Sequence, residues 1–398
     1  MTPAGRPAIR RLAVILFVTS AGTNAAGVAV PAAVYAETGS ATWLSLTFLL
    51  TFGVGGLLSP VAGAIADRFD RRRVAVVSSV LSGIAWLAIL LGDGPLWLAV
   101  MGFLASVLSL PAGAALIAAV PNLVKEEDLD WANGTLVFAR KSGQVPGFVL
   151  GGALAGTFGP EAAFVLNAAT FLVEAVAIAT MAGRFQAADA EHDEERRGSV
   201  FAGFPVIWRD PVLRPLFMVW TTLFLTIDIA VVADLPLVHE LGWGDLGYGL
   251  LNAGWGLGAA IGAFLGRKIT RRLEPWAVLL GAAGAALGYF VIAIGPVFVF
   301  AMLGNAIAGG TDAGDEVAGS AIIQRSTPDA YRGRVFSAVF TAGFAANAVG
   351  FVFAGYLVDA VGPRATYAIA GAGSLLVTPL LIPMFRALRR REQMAVEP

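Results

Sequence analysis

The sequence predicts an all-α integral membrane protein whose chain crosses the bilayer twelve times. Of its 398 residues, 57% are hydrophobic and 14% are charged, and the mean hydropathy is +0.75. Soluble domains carry about 25% charged residues. Apolar stretches recur from end to end, and a helix needs about 20 apolar residues to cross roughly 30 Å of hydrocarbon. A membrane barrel would show roughly ten-residue alternating segments instead.

The predicted spans contain many of the 48 glycines and 20 prolines. Membrane helices tolerate these residues because small side chains allow close packing and neighbouring helices satisfy the freed backbone groups. The spans are 12–36, 43–66, 74–92, 96–121, 132–158, 162–183, 213–237, 246–266, 276–295, 297–324, 335–360 and 365–386. They predict an N-terminal six-helix bundle at 1–183, a cytoplasmic linker at 184–212, a C-terminal six-helix bundle at 213–386 and a cytoplasmic tail at 387–398.

Basic residues predict the orientation of the chain. With the N-terminus inside, 24 of the 27 Lys and Arg residues fall in the tails, the linker or loops on one side. Such an excess marks the cytoplasmic side. We therefore expect a multi-pass protein of the plasma membrane with both termini in the cytoplasm. The first apolar run, from Leu12 onward, is too long for the core of a signal peptide.

Composition also restricts the function. The net charge of −1 gives no reason to expect nucleic acid, and the absence of cysteine excludes disulfides and thiolate chemistry. His192 and His239 lie too far apart in the sequence to form a metal motif. The sequence shows no nucleophile–base pair of the kind that enzymes use for catalysis. We therefore expect that the protein is not an enzyme and that it has no cofactor and no metal site. The expected partners are a small-molecule substrate, protons and the lipid bilayer, and the protein is expected to be a monomer.

The two halves of the chain carry a weak internal repeat. The end of the second span and the end of the eighth share a glycine and three arginines at an offset of 199 residues, beginning at Gly63 and Gly262. Six-plus-six helices with internal repeats and a central linker are typical of secondary transporters.

Two motifs point to a known family. The loop after the second span reads Gly63-x-x-x-Asp67-Arg68-x-x-Arg71-Arg72, and the fifth span reads Gly143-x-x-x-Gly147-Phe-x-x-Gly151-Gly152. The first resembles the signature of the major facilitator superfamily, and the second resembles the antiporter motif of that superfamily. The runs 163–171 and 328–336 are similar to the branch that contains macrolide-efflux proteins and the enterobactin exporter. This resemblance implies the major facilitator fold and an efflux function.

The first motif is expected to act in gating. Asp67 can face the positive N-terminal end of a helix, and the resemblance indicates the helix that begins near Arg334. Arg68, Arg71 and Arg72 can pair with Glu126 or Glu127 in the next cytoplasmic loop. The alternative is that these arginines only anchor the loop on the cytoplasmic side.

Charged residues inside predicted spans are the candidate central site. A charge at the centre of a membrane helix costs about 2.5–3.5 kcal/mol or more and normally faces a cavity or a partner. Asp312, Asp315 and Glu316 have the i, i+3, i+4 spacing of one helix face, and their mutual repulsion favours retention of a proton. The other charged candidates are Asp228, Glu174, Arg140 and Lys141. We expect the cations of the fifth span to face these carboxylates; the alternative is a set of structural salt bridges.

The sequence therefore predicts a secondary active transporter that exports a small amphipathic organic compound, such as a drug, an antibiotic or a siderophore-like molecule. Export would be driven by proton antiport through alternating access. Four residues are expected to form the cavity wall: Asn24, Trp220, Tyr248 and Trp255. Two alternatives stay open, namely an importer or uniporter of a polar nutrient on the same fold and a non-transporting receptor or scaffold.

Overall fold

The computed structural model describes residues 5–183, 185, 203–266 and 268–396, and these are helical apart from short connections. Most of the predicted linker, including the highly charged residues 189–197, lies outside the described residues. The α-helices are α1 (Gly5–Thr38), α2 (Ala41–Phe48), α3 (Gly55–Leu57), α4 (Ser59–Arg68), α5 (Arg71–Ala88), α6 (Pro95–Leu123), α7 (Leu129–Phe158), α8 (Pro160–Ala179), α9 (Phe204–Arg209), α10 (Leu213–Glu240), α11 (Gly244–Gly266), α12 (Glu274–Ile294), α13 (Phe298–Ser326), α14 (Asp329–Val361), α15 (Pro363–Leu376) and α16 (Ile382–Val396).

Nine helices in the described part of the chain are long and apolar enough to cross a membrane. The predicted segments 43–66, 132–158 and 297–324 are not among these nine. In the last two, α7 and α13 are 30 and 29 residues long, but they contain the charged groups discussed above. The nine spans are Gly5–Thr38, Arg71–Leu91, Pro95–Leu123, Pro160–Ala179, Leu213–Glu240, Gly244–Gly266, Glu274–Ile294, Arg334–Val361 and Pro363–Arg391.

The segment predicted at 43–66 is a broken helix rather than one continuous span. A π-helical turn at Leu49–Val54 follows α2, and the chain then passes through the three residues of α3 before α4 begins. Pro60, at the start of α4, has no backbone N–H to continue the helical ladder, and glycines at 53, 55 and 56 lower helix stability. These residues explain why the interruption occurs here.

The chain divides into two compact units. Unit 1 contains residues 1–192 and 238–253, and unit 2 contains residues 193–237 and 254–398. In unit 1, α1 packs along α7 and α8, and α5 packs along α6 and α8. In unit 2, α12 packs along α13 and α15. Each unit has its own buried apolar core.

The glycine motif of α7 allows this helix to contact the backbone of α1. A methyl group built on Gly147 would lie 2.5 Å from the carbonyl oxygen of Ala21, and one built on Gly151 would lie 2.5 Å from that of Ala25. A methyl group built on Gly143, one turn earlier, would likewise overlap the carbonyl oxygen of Phe17. Gly152 points elsewhere, toward the backbone at 245–249. The first three glycines therefore form the face of α7 that packs against α1.

We predict that Gly147→Ala destabilises the protein, because its methyl group overlaps the backbone of α1. Overpacking of this kind costs roughly 1–3 kcal/mol. The matched control is Gly134→Ala on the same helix, where a methyl group would meet no atom within 4 Å. Thermal unfolding of the two purified variants in detergent measures the difference. Equal unfolding temperatures would contradict the packing role.

Candidate substrate and proton site

A cavity of about 290 Å³ lies within unit 2. Its walls come from α10, α13 and α14, and most of its surface is aromatic or aliphatic. The aromatic residues are Trp220 and Phe224 of α10 and Phe336, Phe340 and Phe344 of α14. Sites for small molecules are typically apolar cavities with a few convergent polar groups, with volumes of roughly 300–1,000 Å³. This cavity is near the lower end of that range.

The three acids of α13 line one side of this cavity. Asp312, Asp315 and Glu316 all contribute to its surface, as the i, i+3, i+4 spacing predicts for one helix face. Asp315 is 3% exposed, Asp312 is half-buried and Glu316 is exposed. The acids therefore lie at graded depth on a single helix.

Asp315 is held by the predicted wall residue Trp220. The indole Nε1 of Trp220 donates to both carboxylate oxygens of Asp315, at 3.1 and 3.0 Å. Gly281 of α12 lies against the Asp315 side chain, where a methyl group would come within 2.5 Å of its Cβ. The position of Asp315 is thus fixed by the hydrogen bonds from Trp220 and by the close packing of the Gly281 backbone against its side chain.

Two further acids are buried on α10. Asp228 is 5% exposed, and the side-chain amide of Asn347 donates to it at 3.0 Å in the orientation that satisfies both groups. Asp234 is 4% exposed and accepts a hydrogen bond from the hydroxyl of Tyr367. Asp228 was among the predicted site residues, whereas Asp234 was not. A second acid in the same apolar segment was the signal that could have identified it.

Tyr289 of α12 lines a small recess together with Asp312 and Asp315 of α13. The buried side chain of Tyr289 interacts electrostatically with Asp312, Asp234 and Asp228. The described lining of the cavity includes three carboxylates and no Lys or Arg. A carboxylate inside a membrane is costly to leave charged, so a cluster of acids at this depth is a candidate site for a proton or for a cationic group. Exchange between the two is the chemistry that this arrangement permits.

Glu174 occupies a different environment, inside unit 1. It is 3% exposed and lies beside the hydroxyl groups of Thr19 and Ser79, which places it between α1, α5 and α8. Arg140 and Lys141 are exposed on α7. That these cations face the carboxylates of the C-terminal half stays a prediction.

Arg71 and Arg72 of the first motif donate hydrogen bonds to backbone carbonyl groups rather than pairing with the predicted acids. Arg71 donates to the carbonyl oxygen of Ala118 at 2.7 Å, and Arg72 donates to that of Gly183 at 2.6 Å. The prediction that they pair with Glu126 or Glu127 is therefore wrong for both. These hydrogen bonds join the start of α5 to α6 and to the segment after α8.

Asp67 and its neighbours have local contacts. Asp67 is exposed and forms an i, i+4 ion pair with Arg71 at 3.7 Å. Arg68 lies over the ring of Phe69, 5.8 Å from its centroid. A methyl group on Gly63 would meet no atom within 4 Å. The contact of Asp67 with the helix that begins near Arg334 stays a prediction.

Comparison with known proteins gives consistent matches. The model of the Major Facilitator Superfamily matches residues 12–291 and 229–398. The enterobactin exporter EntS of Escherichia coli O1:K1 is 27% identical over 398 residues, covering 97% of this chain and 94% of the relative.

Solved structures share the fold at low sequence identity. The nucleoside transporter NupG has a TM-score of 0.73 at 12% identity, covering 95% of this chain and 99% of that one. An inward-facing bacterial homologue of the iron transporter ferroportin has a TM-score of 0.72 at 19% identity, covering 94% of this chain and 98% of that one. The chain therefore belongs to the major facilitator superfamily, and it is a multi-pass membrane transporter rather than an enzyme.

Proposed function

We propose that this transporter exports a small amphipathic organic compound by proton antiport through alternating access. It lies in the cytoplasmic membrane with both termini inside, and its twelve spans form two six-helix repeats. The orientation is supported by the one-sided distribution of basic residues. Export is supported by the similarity to EntS over nearly the whole chain.

The acidic cavity of unit 2 is the observation that carries the proposal. Its three carboxylates lie among aromatic side chains, and its described lining contains no basic residue. A proton and a hydrogen-bonding or cationic substrate group therefore compete for the same negative charge. Competition for one site is the basis of antiport, because binding of the proton releases the substrate and binding of the substrate releases the proton.

Asp312 is the proposed proton carrier. Asp315 is buried and both of its oxygens accept from Trp220, whereas Glu316 is exposed. The exposure of Asp312 is intermediate between those of Asp315 and Glu316. At this position on the cavity wall a proton can reach the carboxylate and leave it. Asp228, which accepts from Asn347, is the alternative carrier.

The cavity also restricts the class of substrate. Aromatic walls favour a compound with a large apolar surface, and the carboxylates favour one that presents hydroxyl or ammonium donors. The exporter EntS, whose name gives enterobactin as its cargo, supplies one probe, and a lipophilic cation supplies another. A nutrient importer or uniporter is the remaining alternative, since the nucleoside transporter shares the fold.

We predict that a cysteine at Asp93 reacts with an impermeant maleimide in intact cells, while a cysteine at Thr270 reacts only after permeabilisation. Both positions are exposed, and the chain has no native cysteine to interfere. Labelling followed by a gel shift measures the difference. The reverse pattern would overturn the proposed orientation.

We predict that Asp312→Asn loses at least tenfold in substrate accumulation driven by an imposed pH gradient in proteoliposomes. The amide imitates a permanently protonated acid, which by this competition no longer binds the substrate group, so exchange of unlabelled for labelled substrate across the membrane should also fall. Enterobactin and a lipophilic cation serve as probes. The matched control is Asp93→Asn, an exposed loop aspartate whose substitution should change neither measurement.

Two outcomes would change this assignment. If Asp228→Asn loses gradient-driven accumulation and Asp312→Asn retains it, the carrier lies on α10. If both variants retain it, proton coupling through these acids is wrong. Accumulation in the same direction as the proton flux would favour an importer over an exporter.

A further inference from the structure

A basic pocket of about 420 Å³ lies in unit 2 at the ends of three helices. Five arginines line it, from the loop before α12, the last turn of α13 and the exposed part of α16. They are Arg271, Arg272, Arg325, Arg389 and Arg391. By the proposed orientation this end of unit 2 faces the cytoplasm.

Only part of this positive charge is neutralised. Arg325 forms an ion pair with the buried carboxylate of Glu274, and Arg391 pairs with Asp210 at 2.7 Å. In the described residues, no carboxylate lies within ion-pair distance of the other three arginines. Arg271 also interacts unfavourably with Arg325. An anion in the pocket would relieve this repulsion.

An apolar groove adjoins the basic pocket. This second cavity, of about 350 Å³, is lined mainly by Trp276, Leu279, Leu381, Ile382 and Phe385. It shares Trp276, Phe385 and Arg389 with the basic pocket. The rings of Trp276 and Phe385 pack edge to face, with their centroids 5.1 Å apart.

The position of Trp276 indicates where the groove lies in the membrane. Trp276 is 50% exposed and lies in the first turn of α12, beside the arginines of the basic pocket. Tryptophan is enriched at the boundary between headgroups and hydrocarbon. The basic pocket is therefore at headgroup level, and the groove leads toward the acyl chains.

We propose that the pocket and the groove together bind one anionic phospholipid of the cytoplasmic leaflet. Its phosphate lies among Arg271, Arg272 and Arg389, because arginine binds phosphate through charge-assisted hydrogen bonds. The beginning of one acyl chain lies along Leu279 and Ile382. Basic pockets between helices on the cytoplasmic side are suited to such headgroups.

The same contacts discriminate against other occupants. A zwitterionic headgroup carries an ammonium group, and Glu274, the acid in the pocket lining, is already engaged by Arg325. A free phosphate can use the arginines but leaves the groove unfilled. The proposal uses the orientation and the fold but not the transported substrate, so its failure leaves the antiport mechanism unchanged.

Native mass spectrometry of the purified full-length protein tests the headgroup. We expect dioleoyl phosphatidylglycerol to bind at least tenfold more tightly than phosphatidylethanolamine with the same chains. The double variant Arg271→Gln/Arg389→Gln should lose this preference. The control Lys268→Gln/Arg390→Gln removes the same charge from exposed positions outside the pocket and should keep it. Equal binding of the two lipids, or equal loss in both double variants, would overturn the proposal.

A second comparison tests the groove. Leu279→Trp fills the groove and should weaken binding of the dioleoyl lipid at least threefold, while Leu280→Trp, at an exposed position outside the groove lining, should not. Glycerol 3-phosphate should bind at least tenfold more weakly than the lipid. If glycerol 3-phosphate binds as tightly, the pocket is a site for free anions and the lipid assignment is wrong.

Discussion

The low dielectric constant of the membrane interior is the constraint on which the other features of this transporter depend. Each buried backbone polar group must find a partner there, which explains why the described chain is built of helices. Each charge must be neutralised, paired or hydrated. Five acids of unit 2 lie within or at the edge of predicted membrane-spanning helices. Three of them accept hydrogen bonds: Asp315 from Trp220, Asp228 from Asn347 and Asp234 from Tyr367. These donors orient the carboxylates but do not cancel their charge, and the proposed antiport mechanism assigns that role to exchangeable protons.

The two units meet the constraint in different ways. In unit 1, glycines of α7 bring that helix onto the backbone of α1, and dispersion between closely packed helices stabilises the bundle where hydrophobic driving force is weak. In unit 2, Gly281 and Gly288 of α12 permit an equally close approach to α13, the helix that carries three acids. Close packing therefore serves to place charged groups as well as to hold helices together.

The sequence predicted much of this arrangement because membrane burial leaves simple signals. Apolar length predicted the nine helices of the described chain that are long and apolar enough to cross a membrane. Helical periodicity predicted that Asp312, Asp315 and Glu316 share a face. The break at Leu49–Val54 was not predicted, because a π-helical turn in an apolar segment changes hydropathy very little. The partners of Asp234 and Asp228 were also missed, since Tyr367 and Asn347 lie more than a hundred residues away. Arg71 and Arg72 were assigned to nearby acids because sequence reveals charges, whereas the carbonyl groups that they contact carry no residue signature.

The central claim is that the cavity acids exchange protons for substrate. Proton release on ligand binding tests it most directly, measured with a pH indicator on purified protein in weakly buffered detergent at pH 7. The ligand is whichever of enterobactin and a lipophilic cation raises the unfolding temperature of the protein. The account predicts that binding releases protons from the wild-type protein and releases fewer from Asp312→Asn. Binding of the same ligand without proton release would contradict it.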